Sequence, residues 1–246
     1  MIHIFYRHTN HLKIGLYRPE WFSYEKCFKN LLKTISKHEN NVILNVIFDG
    51  EISKNPIYEY QHHFNTHVIN AGSDINSWNA TNQIIKSQCE DGMIQPNDLI
   101  YFLENDYLHL PEWVPKVLTL FNTHPYNYVS LYDHADKYFD YNKLESKIIA
   151  TSDCHWRSTP STCGSYIISR ETFLEDFEEI EIINRLCYDM GPTPDHYKFQ
   201  LLTLYKKRQI LTPIPGLSTH VMNGLMSPIT DWKKINELSY ENFSID

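Results

Sequence analysis

Residues 99–106 read LIYFLEND: five apolar residues, then Glu104, Asn105 and Asp106. An uninterrupted apolar run of this length is typical of a strand buried on both faces, as in a parallel sheet. In open parallel sheets, ligands bind beyond the carboxyl ends of the strands. Two carboxylates one residue apart at such an end can both face one hard cation. The stretch therefore predicts a central strand that ends at a cation site, and the alternative is a solvated turn in which Asp106 caps the next helix.

Strand and helix patterns alternate on both sides of this segment. Short apolar or β-branched runs predict strands, and apolar residues three or four positions apart predict helices. The predicted strands are 2–6, 42–48, 66–70, 99–103, 128–132, 147–151, 165–169 and 209–212. The predicted helices are 24–37, 78–89, one that starts at Pro111, 171–184 and 194–207. Strand–helix alternation with short connections favours an α/β fold of three layers, α/β/α, with a mainly parallel sheet. We expect residues 1–246 to form a single domain.

Composition excludes several classes of protein. The chain has 246 residues, 42% of them hydrophobic, so it can bury a full core, and disorder is not expected. Asp and Glu outnumber Lys and Arg by 30 to 22, which argues against a nucleic-acid partner. No run of about 18 apolar residues predicts a membrane span, and the N-terminus lacks the apolar stretch of a signal peptide. Five cysteines without a C-x-x-C motif fit reduced thiols, and we expect a cytoplasmic protein.

Familiar catalytic motifs are absent from the sequence. It contains no G-x-G-x-x-G, no G-x-x-x-x-G-K-[ST], no G-x-S-x-G and no H-E-x-x-H. Dinucleotide-binding, P-loop, serine-hydrolase and zincin activities are therefore not expected.

The 99–113 segment, LIYFLENDYLHLPEW, resembles the strand, D-x-D motif and proline-started helix of GT-A glycosyltransferases, especially those of family 2. The likeness continues in order along the chain. Residues 2–10 are similar to the first strand and its nucleoside-facing loop, and VILNVIFDG at 42–50 to the second strand with its base-binding acid. Gly72 and the 78–89 helix are similar to the family's asparagine-bearing helix, and residues 163–165 to its acceptor-side segment. Residues 193–195 are similar to the segment that supplies the catalytic base, and residues 219–220 to the segment with the late metal-binding histidine.

The resemblance implies a metal-dependent glycosyltransferase. It would move a hexosyl or deoxyhexosyl group from a nucleoside diphosphate sugar, a UDP- or GDP-sugar, to a saccharide hydroxyl with inversion. Residues 1–106 would bind the donor and residues 107–246 the acceptor. Asp106 and His220 would hold Mn²⁺ or Mg²⁺, and a histidine ligand favours manganese.

The resemblance also implies roles for five other residues. Glu104 would bind the ribose or a metal-bound water, and Asp49 and Thr9 would face the base and ribose. Asn82, on the asparagine-bearing helix that precedes the D-x-D strand, would bind the donor. Asp195, in the first turn of a predicted helix after Thr193 and Pro194, would be the general base.

The sequence departs from the family 2 pattern in three places. The second strand ends in a single Asp, the D-x-D motif is Glu-x-Asp, and no Q-x-x-R-W follows the base segment. Two other functions therefore stay open. One is a non-catalytic saccharide- or nucleotide-binding module on the same fold. The other is a metal-dependent nucleotidyltransferase or phosphoesterase, although the G-x-G-T-R loop of sugar-phosphate nucleotidyltransferases is missing from the sequence.

Several site candidates have simpler explanations. His220 is one of 13 histidines and could be an ordinary loop residue, and Asp195 could merely complement a helix dipole. Arg18 is expected to fix the entry to the first helix, although it could reach a phosphate. Trp156, in a predicted loop, could stack on an acceptor sugar or belong to the core. The His62-His63-x-x-x-His67 pattern is expected to be a solvated polar face.

Overall fold

A nine-stranded sheet lies at the centre of the computed structural model, which describes residues 1–9, 17–53, 55–125, 128–140, 143–188 and 195–240. Its strands are β1 (Ile2–Thr9), β2 (Val42–Asp49), β3 (Asn65–Ile69), β4 (Leu99–Glu104), β6 (Tyr128–Val129), β7 (Ile148–Ala150), β8 (His155–Thr159), β9 (Tyr166–Ser169) and β10 (Ile210–Ile214). They are ordered β3-β2-β1-β4-β9-β6-β10-β8-β7. All except β8 and β9 run in one direction, so the sheet is mainly parallel, as predicted.

A separate two-stranded ribbon pairs β5 (Tyr107–His109) with β11 (Ser218–His220) in antiparallel register. The α-helices are α1 (Tyr24–Ile35), α2 (Asp74–Glu90), α3 (Trp113–Thr123), α4 (Asp136–Phe139), α5 (Arg170–Tyr188), α6 (Asp195–Lys206) and α7 (Trp232–Tyr240). Short 3₁₀ helices cover Ser36–His38 and Pro56–His63. Serine side chains cap two of the α-helices, Ser23 for α1 and Ser73 for α2.

Helices cover both faces of the sheet because the central strands are apolar on both sides. In β4, Tyr101 and Leu103 point into a core with Phe28 of α1 and Val117 of α3. The alternate residues of β4 face a second core formed with α2, α5 and α6: Ile100, Phe102, Ile85, Phe173 and Phe199. The architecture is therefore the single-domain α/β/α arrangement that the sequence predicts.

Parts of the second half differ from the sequence-based expectation. Residues 155–157 were expected in a loop, but they belong to β8, which pairs with β10 and β7. Trp156 is fully buried in the core, so its alternative as a sugar-stacking surface is wrong. The strand at Tyr128 is only two residues long. The predicted helix start at Thr193 and Pro194 lies outside the described residues. Among those described, no helix is long and apolar enough to cross a bilayer.

Candidate active site

The carboxyl ends of β1, β2 and β4 meet at one edge of the sheet. Parallel register sets Thr9 opposite Asp49 and Arg7 opposite Glu104. A cavity of about 380 Å³ opens at this edge. Its described lining consists of Arg7, His8, Thr9, Tyr24, Asp49, Gly72, Ser73, Asp74, Ser77, Glu104, Asn105 and Asp106. The strand ends therefore form a concave, polar surface where the fold predicts a ligand.

The β5–β11 ribbon brings Asp106 and His220 together. Asp106 immediately precedes β5, and the register pairs its neighbour Tyr107 with His220 at the end of β11. The backbone N–H of Val221 donates a 2.9 Å hydrogen bond to the Asp106 carbonyl. His220 Nε2 consequently lies 3.0 Å from Asp106 Oδ2, and the Tyr107 ring stacks on the imidazole. Two residues 114 positions apart in the sequence thus lie within hydrogen-bond distance of each other.

The two oxygens of the Asp106 carboxylate have different surroundings. Oδ2 accepts from Arg18 Nη2 at 2.5 Å and contacts His220, whereas Oδ1 is buried and has no hydrogen-bond partner among the described residues. Burial would raise the pKa of this carboxyl, but His220 and Arg18 outweigh burial and lower it. Burial likewise opposes a charge on His220, yet Asp106 raises the pKa of that imidazole. Asp106 is therefore ionised, and one of its oxygens is available to a further ligand.

Glu104 ends β4, and its carboxylate contacts the residue that precedes β9. Its Oε2 accepts from Ser165 Oγ at 3.5 Å, and its Oε1 lies 3.9 Å from Arg7 Nη2. A Cβ on Gly164 would come within 2.7 Å of the Trp78 ring and 2.9 Å of the Glu104 carboxyl carbon, so a larger residue there would displace one of these side chains. Burial, reinforced by Asp106, raises the pKa of Glu104 above its ordinary range.

Asp195 lies in the first turn of α6. Its Oδ1 accepts from Lys198 Nζ at 3.2 Å, and its negative charge contributes to the raised pKa of Glu104. The Lys198 side chain is 2% exposed, with Nζ 5.0 Å from the centroid of the Trp78 ring. Asp195 is therefore oriented by a buried lysine, and it is not among the described residues that line the cavity.

The three remaining site candidates, Thr9, Asp49 and Asn82, differ in whether they line the cavity. Thr9 and Asp49 line the cavity, and Asp49 Oδ1 also accepts a 2.9 Å hydrogen bond from the Ala71 N–H. Asn82 is 1% exposed on α2, and neither its side-chain oxygen nor its nitrogen has a hydrogen-bond partner among the described residues. Asn82 is also absent from the described cavity lining. The structure thus brings together Thr9, Asp49, Glu104, Asp106 and His220, with Asp195 nearby and Asn82 buried apart.

Sequence reasoning missed two cations of the site. Arg7 is 9% exposed, with Nη2 2.7 Å from Asp74 Oδ1 and Cζ 3.9 Å from the centroid of the Trp78 ring. The available signal for Arg7 was a charged residue directly after the predicted strand 2–6, at the strand end where the fold places a ligand. Lys198 had a signal as well, because it follows Asp195 by three positions on a predicted helix and therefore faces the same side.

The residues near Asp106 fit a divalent cation only if other ligands complete its shell. The described residues contain no group of three or more His, Cys, Asp or Glu side chains that could hold a metal ion. The unpartnered Oδ1 of Asp106 and the imidazole of His220 can supply two donors. Manganese and magnesium ions at nucleotide sites commonly take their remaining ligands from phosphate and water. The site is thus compatible with a cation that arrives with a phosphate ligand.

Comparisons with known proteins concern the fold. No family model matches the chain, and no curated protein matches it. Solved structures do match, among them Staphylococcus aureus TarS residues 1–349, with 12% identity and a TM-score of 0.46. That alignment covers 86% of this chain, which spans 57% of the TarS fragment. A glycosyltransferase involved in glycosylation of the PBCV-1 major capsid matches over 97% of this chain and 98% of its own, with 13% identity and a TM-score of 0.43.

Two further matches differ in their named activities. Glucosyl-3-phosphoglycerate synthase from Mycobacterium tuberculosis, solved with Mn²⁺ and UDP-glucose, has 12% identity and a TM-score of 0.40 over 74% of this chain and 66% of its own. A 4-diphosphocytidyl-2C-methyl-D-erythritol synthase has 12% identity and a TM-score of 0.42 over 82% of this chain and 84% of its own. The matched structures thus include nucleotide-diphospho-sugar transferases. Because one fold can support several activities, function is argued below from the site.

Proposed function

We propose that the protein is a metal-dependent glycosyltransferase that moves a hexosyl or deoxyhexosyl group from a UDP- or GDP-sugar to a saccharide hydroxyl. The observation that supports this most is the pairing of Asp106 with His220 at the end of β4, with Asp106 Oδ1 buried and unpartnered. A buried carboxylate oxygen without a donor is costly unless a ligand satisfies it. Asp106 also lines the cavity at the strand ends, which can hold a nucleoside diphosphate.

Asp106 and His220 would hold the cation. Neutral imidazole suits Mn²⁺ better than Mg²⁺, so manganese is the expected ion. When bound, the ion would neutralise charge on the leaving diphosphate. Glu104 would bind the ribose or a metal-bound water, and its Oε2 lies 3.5 Å from the Ser165 hydroxyl.

Residues 1–106 would bind the nucleoside, with Thr9 and Asp49 toward the base and ribose. Asp49 suits this role because it ends β2 at the cavity wall. Asn82, buried on α2, would support the donor side of the site from behind.

Residues 107–246 would bind the acceptor, with Asp195 as the general base. An acceptor hydroxyl is a poor nucleophile at neutral pH and needs a carboxylate positioned to take its proton. Lys198 Nζ lies 3.2 Å from Asp195 Oδ1 and would hold that carboxylate in position. A single base opposite the leaving diphosphate would give a product of inverted anomeric configuration.

Thermal unfolding with UDP or GDP, with and without Mn²⁺, tests this proposal. A ligand at 100 times its Kd stabilises the folded state by about 2.7 kcal/mol. We expect such stabilisation only when nucleotide and Mn²⁺ are both present, and its loss in Asp106→Asn and His220→Ala. Asp140→Asn, which removes a carboxylate from an exposed position, is the matched control and should behave like the wild type.

Other outcomes favour the competing functions. Stabilisation by nucleoside triphosphates but not by diphosphates would favour a nucleotidyltransferase. Metal-dependent nucleotide binding without any transfer or hydrolysis of UDP- or GDP-sugars would favour a non-catalytic module. Binding that persists unchanged in EDTA would overturn the metal assignment.

A further inference from the structure

The Arg18 guanidinium forms an ion pair with the Asp106 carboxylate. Its Nη2 lies 2.5 Å from Asp106 Oδ2, and its Nη1 donates to the Val221 carbonyl at 2.5 Å. The Arg18 and Asp106 side chains are each 12% exposed. One guanidinium therefore bridges the acidic strand end and the residue that follows His220.

Neighbouring contacts hold this guanidinium in place. Arg18 Cζ lies 4.7 Å from the centroid of the Phe22 ring. The Tyr17 carbonyl accepts a 2.7 Å hydrogen bond from the Asn223 N–H, which ties the Arg18 segment to the chain after β11. The Arg18–Asp106 pair is thus built into the fold and differs from a pair of exposed side chains, which contributes little.

We propose that Arg18 and the divalent cation are alternative partners of Asp106, so that the cation binds well only together with a nucleoside diphosphate. This inference rests on the proposed function. Oδ2 of Asp106 already accepts a hydrogen bond from the Arg18 guanidinium, and a divalent ion at the same carboxylate would add two positive charges beside that guanidinium. Repulsion between such close charges is strong in a partly buried site.

A diphosphate relieves that repulsion. Its negative charges give the guanidinium a new partner, because arginine forms paired hydrogen bonds with phosphate oxygens. Asp106 is then released to the metal. The nucleotide and the cation consequently increase each other's affinity by the same factor, as linkage requires.

A purely structural role for Arg18 gives the opposite expectation. If the guanidinium only holds Asp106 in position for the metal, its removal would weaken cation binding. If it competes with the metal, its removal strengthens cation binding in the absence of nucleotide. The sign of one measured change therefore separates the two roles.

Titration of the free Mn²⁺ signal by electron paramagnetic resonance measures this change on the full chain. We expect Arg18→Met to bind Mn²⁺ at least about tenfold more tightly than the wild type without nucleotide. We also expect UDP or GDP to increase the Mn²⁺ affinity of Arg18→Met by a smaller factor than that of the wild type. Arg18→Lys keeps the positive charge without the fork of donors and should give an intermediate affinity.

The Asp106→Asn background is the matched control. If Arg18 acts through Asp106, adding Arg18→Met to Asp106→Asn should not restore the Mn²⁺ binding that Asp106→Asn loses, by the logic of a double-mutant cycle. Thermal melting of each variant shows whether it is folded. If Arg18→Met does not fold, the Mn²⁺ affinity of Arg18→Lys is compared with that of the wild type instead.

The outcomes distinguish this inference from the proposed function. Suppose that the folded Arg18 variants bind Mn²⁺ as the wild type does, or more weakly, while Asp106→Asn still loses binding. Arg18 then does not compete with the cation for Asp106, and the proposed metal site at Asp106 is retained. An absence of Mn²⁺ binding in the wild type and in every variant, with or without nucleotide, overturns both.

Discussion

His109, at the end of β5, should make the protein sensitive to mild acid. The side chain is fully buried, its Nε2 lies 2.8 Å from the Tyr101 hydroxyl, and its Nδ1 has no hydrogen-bond partner among the described residues. Burial lowers the pKa of this imidazole from 6.5 to about 3. The neutral form is therefore the one that the folded state accommodates, in the ribbon that also positions His220.

The magnitude follows from linkage between protonation and folding. Between pH 6.5 and the lowered pKa, the unfolded chain binds a proton at His109 that the folded chain does not bind. Stability from this residue is complete above pH 6.5 and falls as the pH falls through that window. A pKa of about 3 in place of 6.5 lowers the free energy of unfolding by about 2 kcal/mol between pH 7 and pH 5.

Urea unfolding at pH 7 and pH 5 measures this loss in the wild type and in His109→Gln. The glutamine side chain does not titrate and keeps an acceptor for the Tyr101 hydroxyl. Whatever its absolute stability, His109→Gln should lose about 2 kcal/mol less than the wild type on acidification. His63→Gln, at an exposed position, is the matched control and should follow the wild type. Equal losses in His109→Gln and the wild type would refute this reasoning.

Two further predictions concern the donor and the base. Asp49→Ala should weaken UDP or GDP binding by about 1–3 kcal/mol and cost some stability, because the Ala71 N–H loses its acceptor; Asp49→Asn keeps that acceptor and isolates the charge. If calorimetry finds the nucleotide affinity unchanged in both variants, Asp49 has only a structural role as the acceptor of the Ala71 N–H. Asp195→Asn should keep donor and Mn²⁺ affinity but lower kcat by about 100-fold or more. NMR of the product should show inverted anomeric configuration, and a fully active Asp195→Asn or a retained anomer would exclude Asp195 as the base.

The first half of the fold could be predicted because its sequence signals are local. Residues 42–48 and 99–103 are almost continuously apolar, which is the pattern of strands covered on both faces, and both are strands in the structure. Ser23 marks the start of α1 as expected. The helix after β3 starts at Asp74, four residues before the predicted Trp78, because Ser73 supplies a cap that the apolar spacing does not reveal.

The ribbon that completes the site could not be predicted in the same way. Its strands, β5 and β11, have three residues each and are more than 100 positions apart, so neither shows a usable period. Family resemblance, rather than periodicity, singled out His220. Nor does any local signal give the partners of Arg18, because its contacts with Asp106 and Val221 exist only once the chain has folded.

The charges of the site explain why an acidic protein could bind an acidic donor. Three site carboxylates already have basic neighbours inside the fold: Arg7 beside Glu104, Arg18 beside Asp106 and Lys198 beside Asp195. These pairs compensate the partly buried carboxylates when no ligand is present, since a charge removed from water without a partner is destabilising. A diphosphate that approaches this edge meets cations whose positive charge is already shared with carboxylates. Binding therefore requires either an added cation or an exchange of partners, and at Asp106 the proposed site would use both.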